Sequence, residues 1–425
     1  MAKLSARELA LDALTAWRRK KQFADAIIAD RLASTGLTAR DRAFALELFY
    51  GVLRNLSCLD FWIDCLRKGR RDAGVRDVLR LGLYQLLSLS IAEHAAIYET
   101  VKIERKRWRP VVNAVLRSAL RRKAELLEKI ASQPLSIRAS HPQFLVERWE
   151  RQFGLADTGT LCGWNNRPPP IYARVNKLKT GLDSFLGKHS NAQKATKFQN
   201  FARFDSPPID ALKRGECYVQ DPSTAIACEM LDPKPEQRVL DACAAPGGKT
   251  GYLAEMMQNR GLIVACDRDE ERIRLMEENL DRLGITNTNV LRHDWTEQRL
   301  PAGIRDHAPF DRILIDAPCT NTGVMRRRVD VRWRLGPADF DRMRKQQIAI
   351  AGRTEELLKP GGIMVYTTCS LEAEENDGVV QHQLKTMRQL SLEKQTDCLP
   401  FRDGFDGAFA AKLVKTADAV STGCI

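Results

Sequence analysis

Apolar residues recur at helical spacing through the first part of the chain. Leu9, Ala13, Leu14 and Trp17 follow Ser5-x-x-Glu8, a capping-box signature, so a helix is expected to start beside Ser5. Residues 38–41 offer a second start, ahead of Phe44, Leu48, Val52 and Leu53. Residues 75–89 carry Leu79, Leu83, Leu86 and Leu87, an apolar load that suits a central helix. Glycine and proline are scarce here, so residues 1–125 are expected to form an all-α bundle with its basic residues facing outward.

The pattern then changes. Residues 126–215 contain Pro134, Pro142, Pro168-Pro169-Pro170 and the alternating run Ile171-Tyr172-Ala173-Arg174-Val175-Asn176, which reads as a linker and a small α+β domain. In residues 216–425, apolar strand candidates at 238–242, 262–266, 289–292, 312–315 and 363–367 alternate with helical stretches. Such alternation predicts a doubly wound α/β sheet whose ligands bind at the carboxyl ends of its strands. The fold expected is therefore multidomain, and 425 residues leave room for three parts.

Charge narrows the choice of partner. Lysine and arginine total 67 against 54 acidic residues, a net +13, which favours a polyanion. The clusters Arg18-Arg19-Lys20-Lys21, Arg105-Lys106-Arg107 and Arg326-Arg327-Arg328 point to nucleic acid. The first residues lack the apolar core of a signal peptide, and no segment approaches the ~18 uninterrupted apolar residues of a membrane span. A cytoplasmic protein that engages no membrane is expected. Eleven cysteines would then stay reduced, and none forms a C-x-x-C pair or neighbours an H-x-x-x-H pair, so no metal is expected. Most of these thiols should be small buried apolar residues.

The first predicted strand of the α/β region runs into Asp241-Ala242-Cys243-Ala244-Ala245-Pro246-Gly247-Gly248-Lys249-Thr250, a small-residue loop opening a helix. Small residues let a ligand approach the backbone, and a helix N-terminus favours an anion. A Walker A loop would need glycine where Cys243 stands, although Gly248-Lys249-Thr250 and Asp316 keep a nucleotide hydrolase among the alternatives. The G-x-G-x-x-G dinucleotide fingerprint is absent. S-adenosylmethionine is the third ligand that suits such a loop. Asp267, closing the second strand, could accept a ribose diol, and Asp294, after the third, could reach an adenine edge or an amino group.

Two cysteines share the same expected rim, in Asp316-Ala317-Pro318-Cys319 after the fourth strand and Thr367-Thr368-Cys369-Ser370 after the fifth. A thiolate beside a methyl donor suggests covalent catalysis, because carbon 5 of cytosine becomes nucleophilic only after a soft nucleophile adds at carbon 6.

These motifs resemble those of the RsmB (Sun/Fmu) family of bacterial small-subunit ribosomal RNA cytosine-5 methyltransferases. The resemblance extends to Arg40-Asp41-Arg42-Ala43, residues 47–54, residues 79–86 and residues 112–117, which are similar to that family's NusB-like helical domain. Arg174-Val175-Asn176 and Val219-Gln220-Asp221-Pro222-Ser223 look like its middle domain and the entry to its Rossmann-like catalytic domain. The resemblance implies an enzyme acting on 16S ribosomal RNA, in which Cys369 adds to carbon 6 and Cys319 helps release the product; a monomer is expected. It also implies that Cys243, Ala244, Ala245, Pro246, Gly247, Gly248, Lys249, Asp267, Asp294 and Asp316 line the cofactor pocket, Asp316 lying near the base as well.

The chain departs from the family pattern in three places. Thr320-Asn321-Thr322-Gly323 replaces Ser-Gly-Thr-Gly, Arg328-Val329-Asp330 replaces His-Pro-Asp, and Ala408 stands where a phenylalanine is usual. A non-catalytic RNA-binding protein using its helical bundle alone is the remaining alternative.

Overall fold

The computed structural model describes residues 4–19, 21–67, 72–89, 91–195 and 197–416. Lys20 of the first basic cluster lies outside them. The chain divides into two compact units, one of Met1–Pro168 with Met325–Leu335 and one of Pro169–Val324 with Gly336–Ile425.

The first unit is helical: α1 Ala6–Trp17, α2 Ala24–Ala33, α3 Ala39–Arg54, α4 Leu56–Leu66, α5 Ala73–Leu87, α6 Glu93–Lys102, α7 Arg109–Arg121, α8 Lys123–Ala131, α9 Leu135–Arg138 and α10 Gln143–Asn165. The expected capping box is present, with Ser5 Oγ accepting from Glu8 N at 3.3 Å and the Glu8 carboxylate accepting from Ser5 N at 2.7 Å. Thr38 caps α3 through Asp41 N at 3.2 Å. The apolar faces of α3, α5 and α7 meet in a core that includes Leu48, Phe49, Val52, Leu79, Leu83 and Leu116. Helices continue beyond residue 125, the expected end of the bundle, and α10 turns at Gly154, whose φ is +80°.

Residues 325–335 follow the Pro318-Cys319 loop in sequence yet form part of this helical unit. Val329 lies in the helical core, while the buried Asp330 carboxylate accepts from Trp17 Nε1 at 3.2 Å, Ala24 N at 3.1 Å and Arg334 Nε at 2.6 Å. Arg326 is buried as well, its guanidinium 4.1 Å from the centre of the Trp164 ring and bonded to Pro168 O at 2.9 Å. The run Arg326-Arg327-Arg328, expected to be part of a basic surface, therefore spends its first member on internal packing. Trp164 offers an aromatic face and Arg167 and Pro168 offer carbonyls, a combination that suits a planar cation.

The second unit holds two sheets. The smaller, in the order β2-β3-β1-β4, is antiparallel and comprises β1 Ile171–Val175, β2 Ala192–Lys194, β3 Phe201–Phe204 and β4 Cys217–Val219, accompanied by α11 Leu182–Lys188 and α12 Ile209–Lys213. It is the expected α+β domain, and the alternating run forms β1, one of its two inner strands.

After α13 Ala225–Leu231 comes the larger sheet, ordered β10-β11-β9-β8-β5-β6-β7. Its strands β5 Arg238–Asp241, β6 Leu262–Asp267, β7 Thr288–Arg292, β8 Phe310–Asp316 and β9 Leu358–Thr368 coincide with the five expected and pair in parallel. Two further strands, β10 Leu390–Cys398 and β11 Ala408–Lys415, add an antiparallel edge. Between the strands run α14 Gly248–Met256, α15 Glu270–Leu283, α16 Ala302–Arg305, α17 Ala338–Glu355 and α18 Asp377–Thr386. The chain leaves β5 toward β6 and β7 and then returns to β8 and β9 on the other side. This reversal places a topological switch point between β5 and β8, where a crevice opens at the strands' carboxyl ends. No helix among the described residues is long and apolar enough to cross a membrane.

Candidate active site

The loop leaving β5 lies at the switch point. Gly247 takes φ +92°, which a side chain would resist, and Gly248 opens α14. Ala244 N donates to Cys266 O at 2.8 Å and Ala245 N to Asp267 Oδ2 at 3.2 Å, so the loop is pinned to the end of β6. Asn279 holds Pro246 O at 3.0 Å. The Cys243 thiol is pushed well up by burial and by the carboxylates of Asp267, Asp241 and Asp316, so it stays neutral.

Asp267 is buried at the end of β6, where Oδ1 also accepts from Asp269 N at 3.1 Å. Asp294 follows β7, and its Oδ1 accepts from Thr296 N at 2.9 Å and Thr296 Oγ1 at 2.8 Å. Those bonds hold its carboxyl below the usual carboxylate range and commit one oxygen to its own turn. Asp316 closes β8 and pairs with Lys249 Nζ at 2.6 Å. Burial alone would lower the lysine's proton affinity, but the Asp316 carboxylate reverses this and raises it above the ordinary value.

Asp241 is a candidate site residue that sequence reasoning did not single out. It closes β5 as Asp267 closes β6, and the same strand-end argument applies to it. Its Oδ2 accepts from Thr250 Oγ1 at 2.8 Å, whereas Oδ1 is buried without a hydrogen-bond partner among the described residues. Burial pushes its carboxyl up to about 7, with the Thr250 bond opposing and Asp316 assisting. An orphaned buried acceptor at a ligand crevice calls for a donor from outside the chain. The carboxylates along this edge fit a ligand that carries a ribose diol, an exocyclic amine and an ammonium group.

The two expected cysteines meet. Cys319 Sγ lies 3.3 Å from Cys369 Sγ, and Cys369 Sγ lies 3.3 Å from Asn321 Oδ1. Asn321 takes φ +59°, a left-handed conformation that asparagine tolerates, and its Nδ2 donates to Cys319 O at 2.8 Å. A residue that departs from the family pattern thus bridges the two thiol loops. Gly323 donates to Cys369 O at 3.0 Å and accepts from Gly407 N at 2.8 Å, and a Cβ there would lie 2.7 Å from both Cys369 O and Gly407 Cα. The Cys319 thiol is held well above its ordinary value by its bond to Cys369, by burial and by the nearby Glu375 carboxylate. It therefore keeps its proton.

The small domain braces this site. Arg174 of β1 is fully buried, bonds the Glu255 carboxylate, donates to Gly248 O at 3.2 Å and lies 4.8 Å from the centre of the Tyr252 ring. Tyr218 of β4 packs so closely on Gly248 that a Cβ there would sit 2.9 Å from its ring.

A sheet of this order, with a small-residue loop after its first strand and a carboxylate closing the second, defines a Rossmann-like S-adenosylmethionine-dependent methyltransferase. Family models agree along the chain: the NusB family matches residues 4–121, a ferredoxin-like domain of RsmF/B-like methyltransferases matches 141–201, and 16S rRNA methyltransferase RsmB/F matches 228–414. A Bacillus subtilis (strain 168) protein named "Probable ribosomal RNA small subunit methyltransferase B" is 32% identical over 98% of this chain and 100% of its own length. Ribosomal RNA small subunit methyltransferase B of Salmonella arizonae is 34% identical over 88% of this chain and 91% of its own. Among solved structures, PH0851 superposes with a TM-score of 0.78 at 25% identity, covering 97% of this chain and all of that one. The chain belongs to the RsmB family of S-adenosylmethionine-dependent ribosomal RNA small subunit methyltransferases.

Proposed function

We propose that this enzyme methylates carbon 5 of a cytosine in small-subunit (16S) ribosomal RNA through a covalent adduct between Cys369 and carbon 6. The observation that carries this reading is the pair of thiols 3.3 Å apart at the carboxyl edge of the sheet, beside the small-residue loop. S-adenosylmethionine supplies an electrophilic methyl group when bound. Residues 243–249, Asp267, Asp294 and Asp316 would hold it, with Asp241 added to that set.

Adding the Cys369 thiolate to carbon 6 forms an S–C bond and moves the ring's electron pair to carbon 5, which then acts as the nucleophile. Release requires removal of the carbon 5 proton, re-formation of the double bond and departure of the Cys369 thiolate. Cys319 keeps its proton before the reaction; once Cys369 is tied up in the S–C bond, Cys319 gives that proton to solvent and, as a thiolate, accepts the carbon 5 proton while the Cys369 thiolate departs. Digestion of methylated ribosomal RNA to nucleosides tests the reading: 5-methylcytidine is expected, and methyl label on any other nucleoside would overturn it.

The cofactor assignment makes its own prediction. Asp267→Ala should weaken S-adenosylmethionine binding by about 1.5–3 kcal/mol, roughly ten- to a hundredfold, because a ribose diol loses a charged acceptor. Calorimetry checks this, and affinity equal to wild type would remove Asp267 from the site.

We assign RNA binding chiefly to the helical region, and the enzyme is taken to act as a cytoplasmic monomer. RNA affinity should fall steeply with salt, since each phosphate neutralised on a single strand contributes about −0.7 to the slope of log K against log salt. Arg18 is a poor probe because it pairs with the buried Asp77 at 3.3 Å. Lys106 and Arg107 are exposed, and reversing both charges should flatten the slope by about one to two. Fluorescence anisotropy between 50 and 200 mM salt, on the order of the range where this effect is large, measures it; an unaltered slope would move the RNA surface elsewhere.

A further inference from the structure

Behind the two cysteines lies a carboxylate that touches neither of them. Glu375 is fully buried, and among the described residues it has no ion pair. Its oxygens are saturated by neutral donors: Oε2 accepts from Thr320 N at 3.0 Å and from Gln347 Nε2 at 2.8 Å, and Oε1 accepts from Ser370 Oγ at 2.6 Å and from Thr320 Oγ1. Thr320 follows Cys319 and Ser370 follows Cys369, so a single carboxylate ties together the residues next to both thiols.

The surrounding bonds complete a frame. Gln347 also donates to Pro318 O at 2.9 Å, on the other side of Cys319. Asn376 accepts from Thr368 Oγ1 at 2.6 Å and donates to Ser370 O at 2.9 Å, bracketing Cys369. Tyr366 OH fixes the Glu375 backbone by donating to its carbonyl at 2.6 Å. A buried carboxylate is costly without such saturation, and with it the geometry of every donor is constrained.

We infer that Glu375 is a positioning residue that holds the Cys319 and Cys369 loops in register. The inference rests on the proposed roles of the two thiols for its catalytic consequence, but not for its geometric one. Glutamine can reproduce the frame: its oxygen can accept from Thr320 N and Gln347, and its amide can donate to the Thr320 and Ser370 hydroxyls, which accept as readily as they donate. Aspartate keeps the charge but is one methylene too short to reach both loops.

The test compares E375A, E375D and E375Q by two readouts. One is the rate at which diamide joins Cys319 to Cys369, the two thiols giving up two electrons and two protons to the diazene as the disulfide forms, followed by peptide mass spectrometry. Rates are compared at each variant's pH plateau, because loss of the carboxylate charge changes Cys319 ionisation. The other readout is kcat and KM for methylation, with S-adenosylmethionine affinity by calorimetry as the check on folding.

Loss of register should slow cross-linking at least tenfold in E375A and E375D and lower kcat by about a hundredfold while KM for the cofactor stays within twofold. E375Q should restore cross-linking to within threefold of wild type and kcat to within tenfold. Should E375A fail to fold, the other two decide: an E375D that cross-links like wild type beside a slow E375Q would mean that charge, not register, matters, and would overturn the inference. Wild-type cross-linking in all three would overturn it too. If cross-linking follows the expected order but kcat does not, the register stands and the roles given to the cysteines fail.

Discussion

Replacing Cys369 by alanine should abolish both methylation and covalent attachment to RNA, whereas replacing Cys319 should leave an RNA adduct that survives denaturing electrophoresis. The thiols share one rim, 3.3 Å apart, and the proposed mechanism uses them at different stages. Without the Cys369 thiolate, carbon 6 is not attacked and carbon 5 never becomes nucleophilic, so the loss should reach the detection limit. Without Cys319, attack and methyl transfer proceed but elimination stalls, so about one methyl group per enzyme should be transferred before turnover stops. Single-turnover labelling and gel mobility read these outcomes separately. A trapped adduct in Cys369→Ala with a dead Cys319→Ala would reverse the roles, and unimpaired methylation in both would exclude thiol catalysis. Asn321→Gly offers an internal comparison: it removes the amide that contacts Cys369 Sγ and Cys319 O but keeps the left-handed backbone accessible.

The central parallel strands were legible because they are buried apolar runs ending in a carboxylate, as Val264-Ala265-Cys266-Asp267 and Ile313-Leu314-Ile315-Asp316 show. Once the strands are placed, topology puts Asp267, Asp316, Cys319 and Cys369 along one edge, which is why spacing alone pointed to the site. The edge strand β10 was not legible: seven consecutive positions after Leu390 are exposed or half-exposed, so no period of two marks it. The Glu375 frame was equally silent, since it depends on bonds between loops separated by up to 55 positions, and such pairings leave no local pattern. Residues 325–335 misled for a different reason. A run of arginines reads as surface on composition, and only the presence of Trp164 and the carbonyls of Arg167 and Pro168 shows why Arg326 is interior.

Arg174→Met should destabilise the second unit by about 3–5 kcal/mol, the usual cost of breaking a buried ion pair from one side. The Arg174 and Glu255 side chains are almost wholly excluded from solvent, and removing the guanidinium leaves a carboxylate that cannot reach water. It also removes the donor to Gly248 O and the cation over the Tyr252 ring, so the start of α14 loosens and S-adenosylmethionine affinity should fall with stability. Burial already raises the Glu255 carboxyl above its ordinary value in the presence of Arg174, and without it the shift grows. A carboxyl whose folded value exceeds its unfolded one binds more protons when folded, so the variant loses stability as pH rises through and above the ordinary glutamate range. Denaturant midpoints with unchanged m-values should show a gap from wild type that is small near pH 4 and widest near neutrality. Arg174→Met combined with Glu255→Leu should recover much of the loss, because the stranded charge is gone and the volume is filled. A single variant as stable as wild type at neutral pH would mean that Glu255 finds another partner and that the small domain does not brace the cofactor loop through this pair.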